Sequence, residues 1–300
     1  MSDPVRAALR AIVAEELAAA APDAVTAIGE AARAQHGTPV NAVLFYGSCR
    51  RDGYHPGLLV DLYLLVDDYA AVHPSRAMAW LNGLVPPNVY YIETDHAGLR
   101  VRAKYALVSL KQLERLNGPE TLNPYFWARF AQPTGLLWAR DADTARHVAD
   151  SLVEAILTTD AAVRPLLAPS PDAAALWMRA LSESYRTELR AEKPGRAAQI
   201  VQGDLGRYRR VTTAIGDRQA DMPAERAVRL WRRRRWQGKG LSLLRLAKAS
   251  WTFAGGADYL AWKISRHSGV PVEFSPWQRR HPFLAAPLVL WRLARRGAVR

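Results

Sequence analysis

The chain of 300 residues has one cysteine, Cys49. A single thiol excludes an intramolecular disulfide and any metal site built from several cysteines, and it fits a reducing compartment. No uninterrupted apolar run reaches about 18 residues, so no segment reads as a bilayer span. The first residues do not read as a secretory leader. SDPVRAALRAIVAEELAAAA carries three acidic residues and has the pattern of a capped amphipathic helix, with Ser2 or Asp3 leading into Pro4. Repeats and low-complexity tracts are absent, and 49% hydrophobic with 23% charged residues excludes a disordered or fibrous chain.

Acidic residues are scarce in one region only. Of 41 Lys/Arg and 28 Asp/Glu, the last 80 residues hold 17 and four, so the whole net charge of +13 belongs there. Six of the ten tryptophans lie in the same stretch: Trp231, Trp236, Trp251, Trp262, Trp277 and Trp291. The chain is a neutral body with a cationic, Trp-rich tail, a distribution that calls for an anionic partner.

The pattern predicts an α/β (α+β) fold. Residues 4–35 read as helices with a break at Ala21-Pro22. NAVLFYGS (41–48) and LLVDLYLLV (58–66) read as strands, 75–83 as a helix stopping at Pro86-Pro87, and NVYYIETD and LRVRAKYALVS as a hairpin turning at Ala97-Gly98. From Leu110 to about Asp217 the pattern is helical, with breaks at Gly118-Pro119, Pro133 and APSPD (168–172). These signals divide the chain into N-terminal helices (1–37), a sheet domain (38–115), a helical domain (116–222) and the basic tail (223–300).

A second acidic residue is missing where nucleotidyl transfer would want one. In FYGSCRRDGYHPGLLVDLYLLVDD (45–68) a strand ends in a Gly-Ser turn, and the next strand carries Asp61 among apolar residues, with Tyr63 two positions on. Gly47 permits close backbone approach to phosphates, Ser48 offers a hydroxyl, and a carboxylate on the returning strand can hold Mg²⁺. The alternative is a hairpin whose Asp61 pairs locally; burying it unpaired would be costly. Asp67 shares a face with Asp61 but stands about 20 Å along the strand, too far to share a metal. The second ligand must come from elsewhere, and Glu93 and Glu188 are the candidates. Arg100, Arg102 and Lys104, spaced by two, either hold phosphates or form a solvated edge-strand face.

With these residues in view, the chain resembles the mitochondrial-type CDP-diacylglycerol synthases, phosphatidate cytidylyltransferases also known as mitochondrial translocator assembly and maintenance proteins. The resemblance runs in short blocks: FYGS, VDLYLLVDD followed by His73, VYY (89–91), KYALVSLKQL, YFWARFAQP (125–133), LSESYRTELR (181–190) and GKGLSLLRLAKASWTFAGGADYLAWKISRH. It departs from the family at Cys49, Arg76, Ala128 and Gln132, where Gly, Asn, Gly and Lys are usual. The resemblance implies a polymerase-β-like nucleotidyltransferase domain, a winged-helix-like helical domain and an amphipathic C-terminal tail. It implies the conversion of CTP and phosphatidate to CDP-diacylglycerol and pyrophosphate with Mg²⁺. By position, Gly47, Ser48 and Lys104 contact the nucleotide, Asp61 binds metal, and Arg129 matches the family's arginine. Glu188 and Arg190, after a one-residue shift, fall on its second acid and following arginine. The competing functions are a nucleotidyltransferase acting on RNA or another phosphorylated acceptor, and a catalytically silent membrane-binding module.

The tail admits three readings: an interfacial amphipathic segment, a helix packed on the body, and a nucleic-acid contact through RLWRRRRW (229–236). A lipid substrate favours the first. Trp251, Trp262 and Trp291 would then sit at headgroup level, and Arg245, Lys248 and Lys263 would meet anionic headgroups. For a bacterial member of that family, the expected place is peripheral, on the cytoplasmic face of the inner membrane, with nucleic acid an improbable partner.

Overall fold

A computed structural model of the chain describes residues 3–189 and 195–252, together with Ser275 and Trp277. Two helices open it, α1 (Asp3–Ala18) and α2 (Asp23–Ala34), separated at Pro22 as the sequence predicts. They do not form one layer. α1 sends Leu9, Ile12, Val13 and Leu17 into a core shared with the later helices, whereas α2 sends Val25, Ile28 and Ala32 into a second core.

Between the two cores stands a mixed five-stranded sheet. Its strands are β1 (Val40–Tyr46), β2 (Leu59–Val66), β3 (Asn88–His96), β4 (Leu99–Ser109) and β5 (Gly135–Ala139). They lie in the order β3-β4-β2-β1-β5, with β2 and β4 parallel and the other neighbours antiparallel. Side chains alternate across the sheet: Leu44, Tyr63 and Leu65 enter the first core, and Val43, Phe45, Leu62 and Leu64 enter the second. Both faces are covered, which is why β1 and β2 read as continuous apolar runs rather than alternating ones. The β3–β4 turn is at Ala97 and Gly98, both at positive φ (49° and 74°), the geometry a two-residue hairpin needs.

The short α3 (Ser48–Asp52) links β1 to β2, and α4 (Arg76–Leu84) precedes β3. Then follow α5 (Leu110–Asn117), α6 (Trp127–Phe130), α7 (Ala142–Val163), α8 (Ala173–Tyr185), α9 (Arg196–Gly203), α10 (Leu205–Ile215) and α11 (Ala224–Thr252). Side-chain caps start several of them: Ser75, Ser109, Asp141 and Asp172 accept from the backbone N–H of Met78, Gln112, Thr144 and Ala175. One expectation fails here. The stretch from Leu110 to about Asp217, expected to be helical between its breaks, contains β5 just after Pro133; β5 pairs with β1 and carries the sheet beyond the expected domain end at residue 115. Gly-Leu-Leu-Trp-Ala is too short to show a period of either kind, so its partner strand decides its conformation.

Helix α11, at the start of the basic tail, is a strap across the molecule. Trp231 is fully buried and its Nε1 donates to Ala162 O at 2.8 Å. Arg234 donates to Leu122 O at 3.1 Å and lies over the Trp127 and Trp231 rings. Arg235 meets Glu183 at 3.0 Å. Farther along, Arg245 donates to Pro86 O at 2.8 Å, and Lys248 donates to the carbonyls of Pro87, at 2.9 Å, and Val85. Gly238 makes the fit possible: a Cβ there would stand 2.4 Å from Thr187 O.

Replacing Gly238 by Ala should therefore destabilise the protein. Intrinsic helix propensity would favour Ala by about 1 kcal/mol. The backbone clash opposes it, and overpacking of this kind costs about 1–3 kcal/mol. A urea midpoint for Gly238→Ala at or above the wild-type value would contradict this packing.

Candidate active site

The opening Gly-Ser turn and the lone aspartate meet on one rung of the sheet. Tyr46 of β1 pairs with Asp61 of β2, Asp61 with Lys104 of β4, and Lys104 with Tyr91 of β3. Lys104 Nζ lies 2.8 Å from Asp61 Oδ1. That oxygen is buried and receives no well-directed hydrogen bond, so the contact is an ion pair. Gly47, at φ 80°, crosses directly above: a Cβ on it would lie 3.1 Å from Asp61 Oδ2. The turn is thus reserved for glycine on two counts, backbone conformation and space.

Asp61 shares a strand face with Tyr63, and that face turns toward the helical half. Tyr63 occupies the position of the missing second carboxylate. It is fully buried, with its ring 5.2 Å from Tyr46 and 4.9 Å from Phe130, and burial above all drives its phenol well above the ordinary range. The position has become an aromatic floor, and Arg129 rests beside it. The Arg129 guanidinium lies over the rings of Tyr125 at 4.5 Å and Tyr46 at 5.6 Å and donates to Tyr46 Oη at 3.1 Å. Burial works against its charge, but the phenols of Tyr125, Tyr63 and Tyr46 and the Glu188 carboxylate outweigh it and hold its pKa above the usual value.

Glu188, just beyond α8, comes within 3.8 Å of Arg129. Gly47, Ser48, Asp61, Lys104, Arg129 and Glu188 therefore line one cleft of about 190 Å³ between the sheet end and the helices. An adjoining cavity of about 340 Å³ shares Tyr125 and Glu188 with it. Each carboxylate in the cleft faces a cation, a pairing that keeps half-buried charge tolerable.

Other candidates lie elsewhere. Glu93 accepts from Tyr91 Oη and pairs with Arg100 and Arg102 on β3 and β4, outside the cleft. Of the three spaced cations only Lys104 faces Asp61; Arg100 and Arg102 pair with Glu93 and Asp95 of β3, and β4 itself lies between β3 and β2, so it is not the edge strand of the alternative reading. Asp67 is tied to Arg140 at 2.8 Å at the far end of β2. Cys49 is buried and burial pushes its thiol up to about 11, leaving it protonated and inert. His73 is a core residue among Asn82, Asn88 and Tyr90; burial lowers it to about 4, so it is neutral at physiological pH.

Arg245 and Lys248 are placed otherwise than expected. They are turned inward against the loop before β3, with Lys248 only 8% exposed, and so do not face outward toward a membrane surface as predicted for them. Trp251 lies in the last turn of α11. Arg190, Trp262, Lys263 and Trp291 lie outside the described residues. Tyr46 and Tyr125 were missed as site residues; Tyr125 lies in the turn before α6, where no period marks it. Arg51 and Arg196 also reach the cleft, and nothing in their local sequence marks them.

Among the described residues no group of three or more His, Cys, Asp or Glu is arranged to hold a metal. Mg²⁺ does not need one. It commonly takes one or two carboxylates and completes its shell with water and substrate phosphates, a demand that Asp61, with its poorly satisfied buried oxygen, and Glu188 can meet. The chain matches no protein-family model, and comparison with curated proteins finds no match.

Substituting Gly47 by Ala should cost about 1–3 kcal/mol in backbone strain and push a methyl group onto Asp61. A fall in the urea midpoint corresponding to that cost is expected. An unchanged midpoint would contradict the close approach of the turn to Asp61.

Proposed function

We propose that the protein is a Mg²⁺-dependent cytidylyltransferase that joins CTP to phosphatidate and releases pyrophosphate, forming CDP-diacylglycerol. What supports the reading is the convergence of Gly47, Ser48, Asp61, Lys104, Arg129 and Glu188, drawn from four separate stretches of sequence, on one cleft. In this reading the sheet is a polymerase-β-like nucleotidyltransferase unit and the helices behind it are winged-helix-like. The choice of CTP and phosphatidate rests on the family resemblance.

The roles follow from charge and position. Asp61 and Glu188 would hold Mg²⁺, whose chemistry is to neutralise the triphosphate and orient its reacting phosphorus. Lys104, released from Asp61, would grip a phosphate oxygen as a mobile point charge. Arg129, already fixed by Tyr46 and Tyr125, would present a planar donor pair at small entropic cost. The attacking lipid phosphate is anionic at neutral pH, so no general base is required.

Membrane access is the remaining demand. No helix among the described residues is long and apolar enough to cross a bilayer. Leu243, Leu244 and Leu246 on α11 and Trp80 and Leu84 on α4 are 55–68% exposed, and α11 is held at the loop directly following α4. Such a patch on a basic protein suits peripheral attachment to an anionic surface. The nucleic-acid reading of RLWRRRRW loses weight, because Trp231, Arg234 and Arg235 are engaged inside the protein.

Incubation with labelled CTP, Mg²⁺ and phosphatidate vesicles should yield CDP-diacylglycerol. Asp61→Asn should lower the rate by on the order of a hundredfold or more while leaving the melting curve in place. Absence of labelled lipid, or transfer of label to RNA instead, would overturn the proposal.

A further inference from the structure

The second cavity, beside the cleft, has a composition of its own. Pro87, Val89, Leu189, Leu246 and Ala249 make its wall apolar, while Arg245 and Lys248 bring two cations into it and Glu188 one carboxylate. Neither cation is placed for solvent. Burial lowers the pKa of Arg245, and burial, followed by repulsion from Arg245, brings Lys248 down to about 7. Backbone carbonyls of the loop at Val85–Pro87 hold both groups in place. Arg245 uses its Nε for this, and among the described residues no hydrogen bond or ion pair uses its terminal nitrogens. Its guanidinium lies 3.9 Å above the Tyr125 ring.

Tyr125 joins the two cavities. It lines both cavities and carries Arg129 over its ring on the nucleotide side as well as Arg245. Two guanidinium groups thus flank the passage between a polar cleft and an apolar pocket. Burying cations is costly; Glu188, the one carboxylate among the described lining residues, is already paired with Arg129, so positive charge is in excess there and an anionic ligand would offset its cost. A soluble anion would not need the apolar wall, and a neutral lipid would not need the cations. Exposed Leu189, Leu243 and Leu246 border the pocket or lie beside it on the same helix, giving a route from a bilayer.

We propose that this pocket is the acceptor subsite: it receives a phosphate-headed, two-chain lipid drawn from the membrane, with Arg245 and Arg129 on either side of its phosphate and the acyl-bearing end against the leucines. The inference rests on the cytidylyltransferase reading for the chemistry that follows, but binding itself does not depend on turnover. It assigns Arg245, and with it Lys248, to substrate recognition instead of membrane attachment.

Titration calorimetry of the full chain with dihexanoyl phosphatidate, without CTP, tests it. Binding is expected, at least tenfold tighter than for glycerol 3-phosphate, which has the head without the chains, and than for dihexanoyl phosphatidylcholine, which has the chains without the monoester. Arg245→Gln should weaken phosphatidate binding tenfold or more. Leu246→Asp, at a side chain 68% exposed and therefore safe for folding, should do the same while leaving CTP affinity unchanged. Wild-type-like phosphatidate affinity in Leu246→Asp, or equal affinity for the three ligands, would overturn the pocket. If wild-type protein forms CDP-diacylglycerol and both variants keep the wild-type KM for phosphatidate, the subsite is wrong and the reaction stands. If no product forms, the reaction itself is wrong, whatever the calorimetry shows.

Discussion

The ion pair between Asp61 and Lys104 is the constraint around which the rest is arranged. Its two members face each other because β2 and β4 run parallel and in register, and that register is fixed by apolar residues on both faces of the sheet. A slip of one residue would turn Asp61 into the other core and Lys104 away from it. The covered sheet therefore does more than support the cleft; it holds a carboxylate and an ammonium 2.8 Å apart at its end. Such a pair is poised rather than strongly stabilising, since partial burial takes back much of what the attraction gives. Phosphate and a divalent cation are the ligands able to take over from each partner.

The second charge pair follows the same logic on the helical side. Glu188 and Arg129 are farther apart, at 3.8 Å, and Arg129 is anchored by aromatic rings instead of by strand register. One side of the cleft is set by the sheet and the other by helix packing, in which Gly238 lets α11 approach Thr187, the neighbour of Glu188. The same helix delivers Arg245 to the far side of the cleft. Its cationic character, which in the sequence looks like a surface property, is partly internal: Arg234, Arg235, Arg245 and Lys248 all spend donors on the protein, while Arg226, Arg229, Arg232, Arg233 and Lys239 are exposed.

Much of this was legible without coordinates. The strands, the hairpin turn, the helix breaks at Pro22, Gly118 and Pro133, and the importance of the 47–61 stretch follow from local chemistry, because glycine, proline and apolar period act within a few residues. Strand β5 was not legible, since five apolar residues acquire a conformation only from β1. Nor could spacing tell which of Arg100, Arg102 and Lys104 would face Asp61. That is decided by which residues of β2 and β3 stand opposite, and Glu93 and Asp95 take the first two. Tyr63, read as a defect in a two-carboxylate motif, becomes intelligible only when Arg129 and Tyr125 arrive from 60 residues away to lie above it. The inward turn of Arg245 and Lys248 likewise depends on carbonyls of a loop some 160 residues earlier.

In the proposed function, nucleotide phosphate and metal would take over the charges of the Asp61–Lys104 pair. A crystal structure of the full chain soaked with CTP and Mg²⁺ addresses it most directly, read as the Lys104 Nζ to Asp61 Oδ1 distance. The account predicts that the two separate, with Lys104 on a phosphate oxygen and Asp61 on the metal. Nucleotide bound outside the cleft, or bound within it while the 2.8 Å contact persists, would contradict it.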